Sequence, residues 1–367
     1  MPSTVAERAS PTAAEERLAA VRIAPTRSIT EALGQLDAAG TGMLLVADAD
    51  DRLLGVLTDG DFRRAVLAGT PLTDPCISIA STDPVVGSPT VAAADAIQLM
   101  DRGRPYILDH LPLVDQARRI VGLLLRSDFA TEVRLEVDAV IMAGGVGARL
   151  MPLTRSTPKP MLHVGDRPLL ERTIESLREA GVHRVNVTTH YLADQIASHF
   201  GDGHGFGVEV RYVTEERPLG TAGSLRLIDP GTGPLLVING DIVTGLRFRD
   251  LLTYHREQRA DLTIAVRQYE MQVPYGVVEC AGERVSAIRE KPFHRFFVNA
   301  GIYVVEPTVR QMLPPMERLD MPDLITHLLQ LGRKVVSFPV MEYWLDVGRH
   351  DDYQQAQDDV RSGIIGR

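Results

Sequence analysis

Residues Asp138–Leu162 read DAVIMAGGVGARLMPLTRSTPKPML. The apolar run Ala139–Met142 predicts a buried strand that stops at Gly144-Gly145-Val146-Gly147. Glycines let backbone N–H groups approach an anion closely, because no Cβ intervenes and positive φ costs little. Arg149 and Lys159 add positive charge to the same loop. Pro152, Pro158 and Pro160 forbid an α-helix directly after the turn and predict an extended loop, with Lys159 held between two prolines. The stretch therefore predicts a strand that delivers a triphosphate cradle, with Gly144, Gly145 and Gly147 approaching the phosphates and Arg149 and Lys159 as cations for their oxygens.

Two commoner loops do not fit. A dinucleotide fingerprint would need glycine at Leu150 and a helix where the prolines stand, which disfavours a nicotinamide oxidoreductase. A nucleoside-triphosphatase loop needs Gly-Lys-Ser/Thr opening a helix, and here the lysine sits in Pro-Lys-Pro. The full pattern G-G-x-G-x-R-L-x-P-L-T-x-x-x-P-K-P-M-L resembles the signature loop of the sugar-1-phosphate nucleotidyltransferases. It departs at Ala148, where that family carries a threonine hydroxyl.

A length of 367 residues allows two domains, and 44% hydrophobic with 24% charged residues is the balance of a globular chain. A net charge of −9 argues against nucleic acid or an anionic membrane as partner. No apolar run approaches the roughly 20 residues that span a bilayer, and no secretory leader is visible. Cys76 and Cys280 show no pairing pattern, which predicts a reducing, cytoplasmic setting. Positive charge comes almost entirely from arginine, and two of the three lysines, Lys159 and Lys291, precede proline. Lysine is a compact point charge suited to a phosphate oxygen in a narrow pocket.

Residues 1–20 read as a flexible leader or loose helix, and two similar units fill 21–134. Each offers a helix, two strands and a closing Asp-Phe, at Asp61-Phe62 and Asp128-Phe129, opening a further helix. The repeat resembles a pair of CBS motifs, an α+β regulatory module that often binds adenine nucleotides. That resemblance implies Thr58, Asp61 and Asp128 as ribose-binding residues, although Leu125 replaces the hydroxyl in the second unit. Helix capping by both aspartates is the alternative. Association of such pairs into a flat dimer is the family habit, so a dimer or tetramer is expected.

The catalytic domain, 135–367, alternates strands with amphipathic helices, which predicts an α/β fold with a mostly parallel, Rossmann-like sheet. In such sheets ligands gather at the carboxyl ends of the strands. Gly201–Gly207, glycine-rich but preceded by a helix, reads as a turn. Gly220-Thr221-Ala222-Gly223 predicts a helix start whose free N–H groups meet a nucleotide or a sugar, with a Thr221 cap as the bland alternative. LLVINGD ends a buried strand in Asp241, beside the cradle strand, and EYWLDVGR places Asp346 in a second apolar stretch. Two carboxylates meeting a triphosphate suit Mg²⁺.

By resemblance these are the family's metal ligands, and Gly276, Glu290, Lys291 and Asn299 match its sugar-phosphate positions. The family likeness covers about Val137–Ala356 and implies a GT-A-like domain. It also implies attack of a sugar 1-phosphate on the α-phosphorus of a nucleoside triphosphate, GTP being favoured. No hexapeptide repeat follows Tyr353, which sets aside the forms with a β-helix tail. A weakly catalytic nucleotide-sensing subunit is the alternative function.

Overall fold

The computed structural model describes residues 11–102, 108–129, 136–215, 217, 219–229, 231–314 and 317–365. Two units divide the chain, Met1–Arg134 and Leu135–Arg367. In the first, helix α1 (Pro11–Val21) precedes strand β1 (Arg22–Ile23), α2 (Ile29–Ala39), β2 (Met43–Ala47), β3 (Leu53–Thr58) and α3 (Asp59–Ala68). The second repeat supplies α4 (Ala93–Arg102), β4 (His110–Val114) and β5 (Ile120–Leu125). Helix α2 opens with a capping box between Ser28 and Glu31 and closes on Gly40 in the left-handed region.

Residues 11–20 are helical, one of the two forms expected of 1–20, and the segment has partners. Arg17 pairs with Asp128 at 3.0 Å, and Gln35 Nε2 donates to the Ala20 carbonyl at 2.8 Å. The helix expected after Phe129 and most of the connector to Asp138 lie outside the described residues.

The second unit centres on a seven-stranded sheet. Its strands are β6 (Asp138–Met142), β9 (Arg184–Thr189), β10 (Glu209–Thr214), β11 (Leu235–Asn239), β13 (Leu262–Gln272), β16 (Phe293–Val305) and β17 (Val335–Pro339). The spatial order is β10-β9-β6-β11-β16-β13-β17. Ladders are parallel from β10 through β11 and between β13 and β17; β16 runs antiparallel to both its neighbours. Small two-stranded antiparallel ladders pair β7 (His163–Val164) with β8 (Arg167–Pro168), β12 (Ile242–Thr244) with β18 (Trp344–Asp346), and β14 (Val277–Ala281) with β15 (Arg284–Arg289).

Strand alternation sorts the core into two layers. Ala139, Ile141, Leu236 and Ile238 face α5 (Leu169–Glu179), α6 (Ala193–Phe200) and α8 (Phe248–Gln258). Val140, Leu235 and Val237 face the turn α7 (Gly220–Gly223) and helices α9 (Pro307–Gln311) and α10 (Met321–Gln330). Burial on both faces explains why β6 and β11 are uninterrupted apolar runs. The C-terminal helix α11 (His350–Arg361) packs Ala356 and Val360 against Leu150 and Leu162, clamping the cradle loop from outside.

Candidate active site

Four neighbouring parallel strands deliver their carboxyl ends to one cleft of about 430 Å³. β6 brings Gly144, Gly145 and Gly147; β9 brings His190; β10 brings Glu215; β11 brings Asn239, Gly240 and Asp241. Arg149, Lys159, Gly220, Thr221, Ser224 and Gly348 complete the wall. The sheet core fixes all four ends together, so the site inherits the rigidity of the strands.

The loop after β6 departs from the expectation of an extended segment. It coils through three short 3₁₀ turns, Ala148–Leu150, Leu153–Arg155 and Lys159–Met161. The prolines exclude an α-helix, but 3₁₀ turns tolerate them, and Leu150 drags the chain into the core by full burial. Gly147 has φ +66°, and a Cβ there would lie 2.9 Å from Thr154 Cγ2 and 3.2 Å from Lys159 Cβ. Its carbonyl accepts the Thr154 hydroxyl at 2.9 Å. Gly144 and Gly145 lack positive φ, and a Cβ on Gly145 would meet nothing within 4 Å. Gly147 is therefore demanded by the fold, whereas Gly144 and Gly145 leave room for something outside the chain.

Lys159 is buried between its prolines, and its Nζ donates to Asp241 Oδ2 at 2.5 Å. A buried ammonium needs such a partner to offset desolvation. Ile242 pairs across from Asp346, so the antiparallel β12–β18 ladder sets the two carboxylates side by side. Trp344 Nε1 anchors that ladder by donating to the Ala300 carbonyl at 2.9 Å. Asp346 is exposed to solvent, yet the surrounding protein and then the Asp241 charge push its pKa up, against the pull of Lys159 and Arg149. A Cβ placed on Gly348 would sit 3.4 Å from Asp346 Oδ1 and 3.5 Å from Arg149 Nη2, which puts the arginine beside this acidic pair.

The Gly220–Gly223 segment differs from the expected helix start. It is a single turn whose N–H groups are already used: Ala222 and Gly223 donate to the Leu319 carbonyl at 2.9 Å, and Thr221 to Asp320 Oδ1 at 3.2 Å. The Thr221 hydroxyl accepts from the Met321 N–H at 2.8 Å and so serves the first turn of α10. Gly220, at φ +79°, has no space for a Cβ, which would meet the Leu319 carbonyl at 2.6 Å.

Gly276, Glu290, Lys291 and Asn299 are not part of this cleft wall. Glu290 lies against Gly276, where a Cβ would stand 3.0 Å from Oε2, and Lys291 is exposed at φ +44°. Asn299 has internal uses that its sequence setting did not suggest. Its amide donates to the Tyr303 hydroxyl at 2.7 Å and accepts from the Gly301 N–H at 2.9 Å. In the other unit, Asp61 Oδ2 accepts from both the N–H and the hydroxyl of Thr58, at 2.8 and 2.7 Å, and Oδ1 takes Arg64 at 2.6 Å. Asp128 accepts from the Leu125 N–H and pairs with Arg17. Both aspartates thus make the capping contacts.

Glu215 and Asn239 carry weight that the sequence did not reveal. Glu215 Oε2 accepts from the Leu219 N–H at 2.9 Å, while Oε1 would lie 3.6 Å from a Cβ on Gly144. The Asn239 Oδ1 is buried with no partner among the described residues, beneath Gly301 at φ +73°. Asn239 stands in the LLVINGD motif, whereas Glu215 opens Glu-Glu-Arg-Pro, where an acid reads as a solvated charge until its bond to the Leu219 N–H is known.

A family profile described as nucleotidyl transferase matches residues 138–363, and one for the CBS domain matches 19–68 and 76–134. A mannose-1-phosphate guanylyltransferase of Mycobacterium tuberculosis is 35% identical over 241 residues, 62% of this chain and 66% of the relative. A D-glycero-alpha-D-manno-heptose 1-phosphate guanylyltransferase of Aneurinibacillus thermoaerophilus is 29% identical over 231 residues, 62% of this chain and 100% of the relative. The chain therefore spans just under two thirds of the mycobacterial enzyme and all of the heptose enzyme. Among solved structures, a Bacillus anthracis protein assigned as a glucose-1-phosphate thymidylyltransferase superposes with a TM-score of 0.50 at 25% identity, over 61% of this chain and 95% of that one.

Proposed function

The chain belongs to the nucleotidyl transferase family, and on that premise we propose that it joins GTP to a manno-configured sugar 1-phosphate, releasing diphosphate and a GDP-sugar. The observation that carries the chemistry is the convergence of a glycine cradle, buried Lys159 and the Asp241–Asp346 pair at one sheet edge. A phosphate-oxygen nucleophile is already ionised at neutral pH, so no general base is needed. Its oxygen bonds to the α-phosphorus as the bond to the β-bridging oxygen breaks, and diphosphate leaves with the electron pair. Positioning and charge neutralisation are then the whole task.

In this reading the open face over Gly144 and Gly145 admits the β- and γ-phosphates, with Arg149 beside them. Lys159 neutralises the α-phosphate. Asp241 and Asp346 suit Mg²⁺: they are adjacent, desolvation and then the Asp241 charge raise Asp346, and a cation relieves the repulsion. When bound, the metal would supply charge neutralisation on phosphate oxygens. Lys291 and Glu290, on the far side, take the sugar phosphate and a hydroxyl.

Glu215 supports guanine. With Oε2 tied to Leu219, its carboxylate accepts hydrogen bonds and offers none. Guanine alone presents adjacent N1–H and N2–H donors on one edge, whereas adenine, cytosine and uracil each turn an acceptor toward such a carboxylate. The two named relatives, both guanylyltransferases for manno-configured sugars, support base and sugar alike. A homo-oligomer, and an adenine nucleotide regulating through the CBS pair, belong to the same proposal; a ribose there would have to displace the Thr58–Asp61 bond. No helix among the described residues is long and apolar enough to cross a membrane.

The test is diphosphate release from GTP, ATP, CTP and UTP, each with mannose 1-phosphate and with the manno-heptose 1-phosphate. GTP-dependent release with either sugar is expected. Release with no combination, alongside adenine-nucleotide binding to the intact chain, would instead favour a sensing subunit.

A further inference from the structure

Lys159 and Asp241 both line the cleft and are bonded to each other. Nζ lies 2.5 Å from Asp241 Oδ2, and that carboxylate is the ammonium's one hydrogen-bond partner among the described residues. The pair is sheltered, with 11% of the lysine side chain and 25% of the aspartate side chain exposed. The stem of the lysine is confined. It leaves a 3₁₀ turn flanked by Pro158 and Pro160, and a Cβ on Gly147 would stand 3.2 Å from its own Cβ. Only the far end of the side chain is left to swing. A sheltered ammonium needs a counter-charge in every state, because an unpaired one bears its full desolvation cost. Arg149, by contrast, is exposed and pulls on Asp346 only through space.

We propose that Lys159 is an internal stand-in for the divalent cation, occupying Asp241 until a phosphate of the incoming triphosphate takes the ammonium over. This rests on the functional reading, in which Asp241 serves the cation and Lys159 the α-phosphate. In the free chain those two groups are engaged with each other, so neither is available for its role. Two cations sharing one carboxylate repel at short range, so lysine and metal compete whichever oxygen the metal takes. A phosphate oxygen gives the ammonium an equivalent counter-charge and releases Asp241 without leaving either group unpaired. Triphosphate and cation are thereby coupled through one side chain, each raising the affinity of the other.

The experiment reads lysine and metal separately and needs no turnover. The chain has three lysines, Lys159, Lys291 and Lys334, so the full-length protein carrying ¹³C-lysine gives three Cε signals in NMR spectra. Lys159→Met identifies the Lys159 signal by its loss. In the wild type that signal is expected to shift when GTP is added with a chelator present, and to stay in place when Mg²⁺ alone is added. A signal that stays fixed while calorimetry records GTP binding overturns the exchange and leaves the functional reading standing. In parallel, Mn²⁺ is titrated into the nucleotide-free chain and followed by electron paramagnetic resonance, with circular dichroism as the check on folding. Lys159→Met should bind Mn²⁺ at least about tenfold more tightly than wild type, the scale of the charge-assisted hydrogen bond no longer displaced. Arg149→Met removes the same charge from an exposed position and should gain less than about threefold. Equal gains in the two variants, or no gain in Lys159→Met, would overturn the occupancy of Asp241 by lysine. Absence of both GTP and Mn²⁺ binding would overturn this proposal together with the functional reading.

Discussion

Gly147 and Gly145 stand two residues apart in the cradle, and alanine at each should fail in a different way. At Gly147 the backbone is left-handed, and the new Cβ would press on Thr154 at 2.9 Å and Lys159 at 3.2 Å. A side chain in that region costs about 1–2 kcal/mol, and overpacking a tight site costs about 1–3 kcal/mol. Gly147→Ala should therefore lose about 2–5 kcal/mol, a drop of roughly 5–20 °C for a unit of this size. Trp344, the only tryptophan, lies in the catalytic unit and reports its unfolding by fluorescence. At Gly145 the backbone is unstrained and the Cβ meets nothing. Gly145→Ala should leave the transition within about 0.5 kcal/mol, yet raise KM for the triphosphate several-fold, because the space it fills is the nucleotide's. Equal destabilisation by both substitutions, or an unchanged KM in Gly145→Ala, would refute this division between a glycine the fold needs and one the ligand needs.

Lys159→Ala and Asp241→Asn should each lower kcat by at least about 100-fold, the scale of losing one charge stabiliser; near-wild-type turnover in either removes it from the chemistry. Glu215→Gln should shrink the preference for GTP over ITP, which lacks the N2 amine, by about 1–3 kcal/mol, read from the ratio of kcat/KM values. Thr221→Val should cost about 1 kcal/mol by uncapping α10, measured by the same fluorescence transition, with kcat nearly intact. Asp61→Ala should cost a similar amount in the first unit through loss of the α3 cap, and abolish any adenine-nucleotide binding measured by calorimetry on the full chain.

Much of this architecture was legible because the relevant signals are local. The apolar runs of β6 and β11 ending at Gly144 and Asp241 declare buried parallel strands, and the register Asn239 against Met142 places the two ends together. Lys159 stood out by its rarity and its prolines. What escaped was decided by distant partners. The N–H groups of Gly220–Gly223 are taken by Leu319 and Asp320, about a hundred positions away, which no local pattern announces. Asn299 looked idle for an amide until the strand brought Tyr303 within 2.7 Å. Glu215 gains meaning only when β10 lies beside β9 and its carboxylate turns toward Gly144. The outer halves of β13 and β16 read as ordinary strand in sequence, since their exposure on both faces is a tertiary fact.

The central claim is that this cleft directs a sugar phosphate onto the α-phosphorus of GTP. Mannose 1-phosphate carrying ¹⁸O in its phosphate tests it directly, with products analysed by mass spectrometry. The account predicts GDP-mannose that retains the label and diphosphate that carries none. Formation of GDP with a labelled sugar diphosphate, the outcome of attack at the γ-phosphorus, would contradict it.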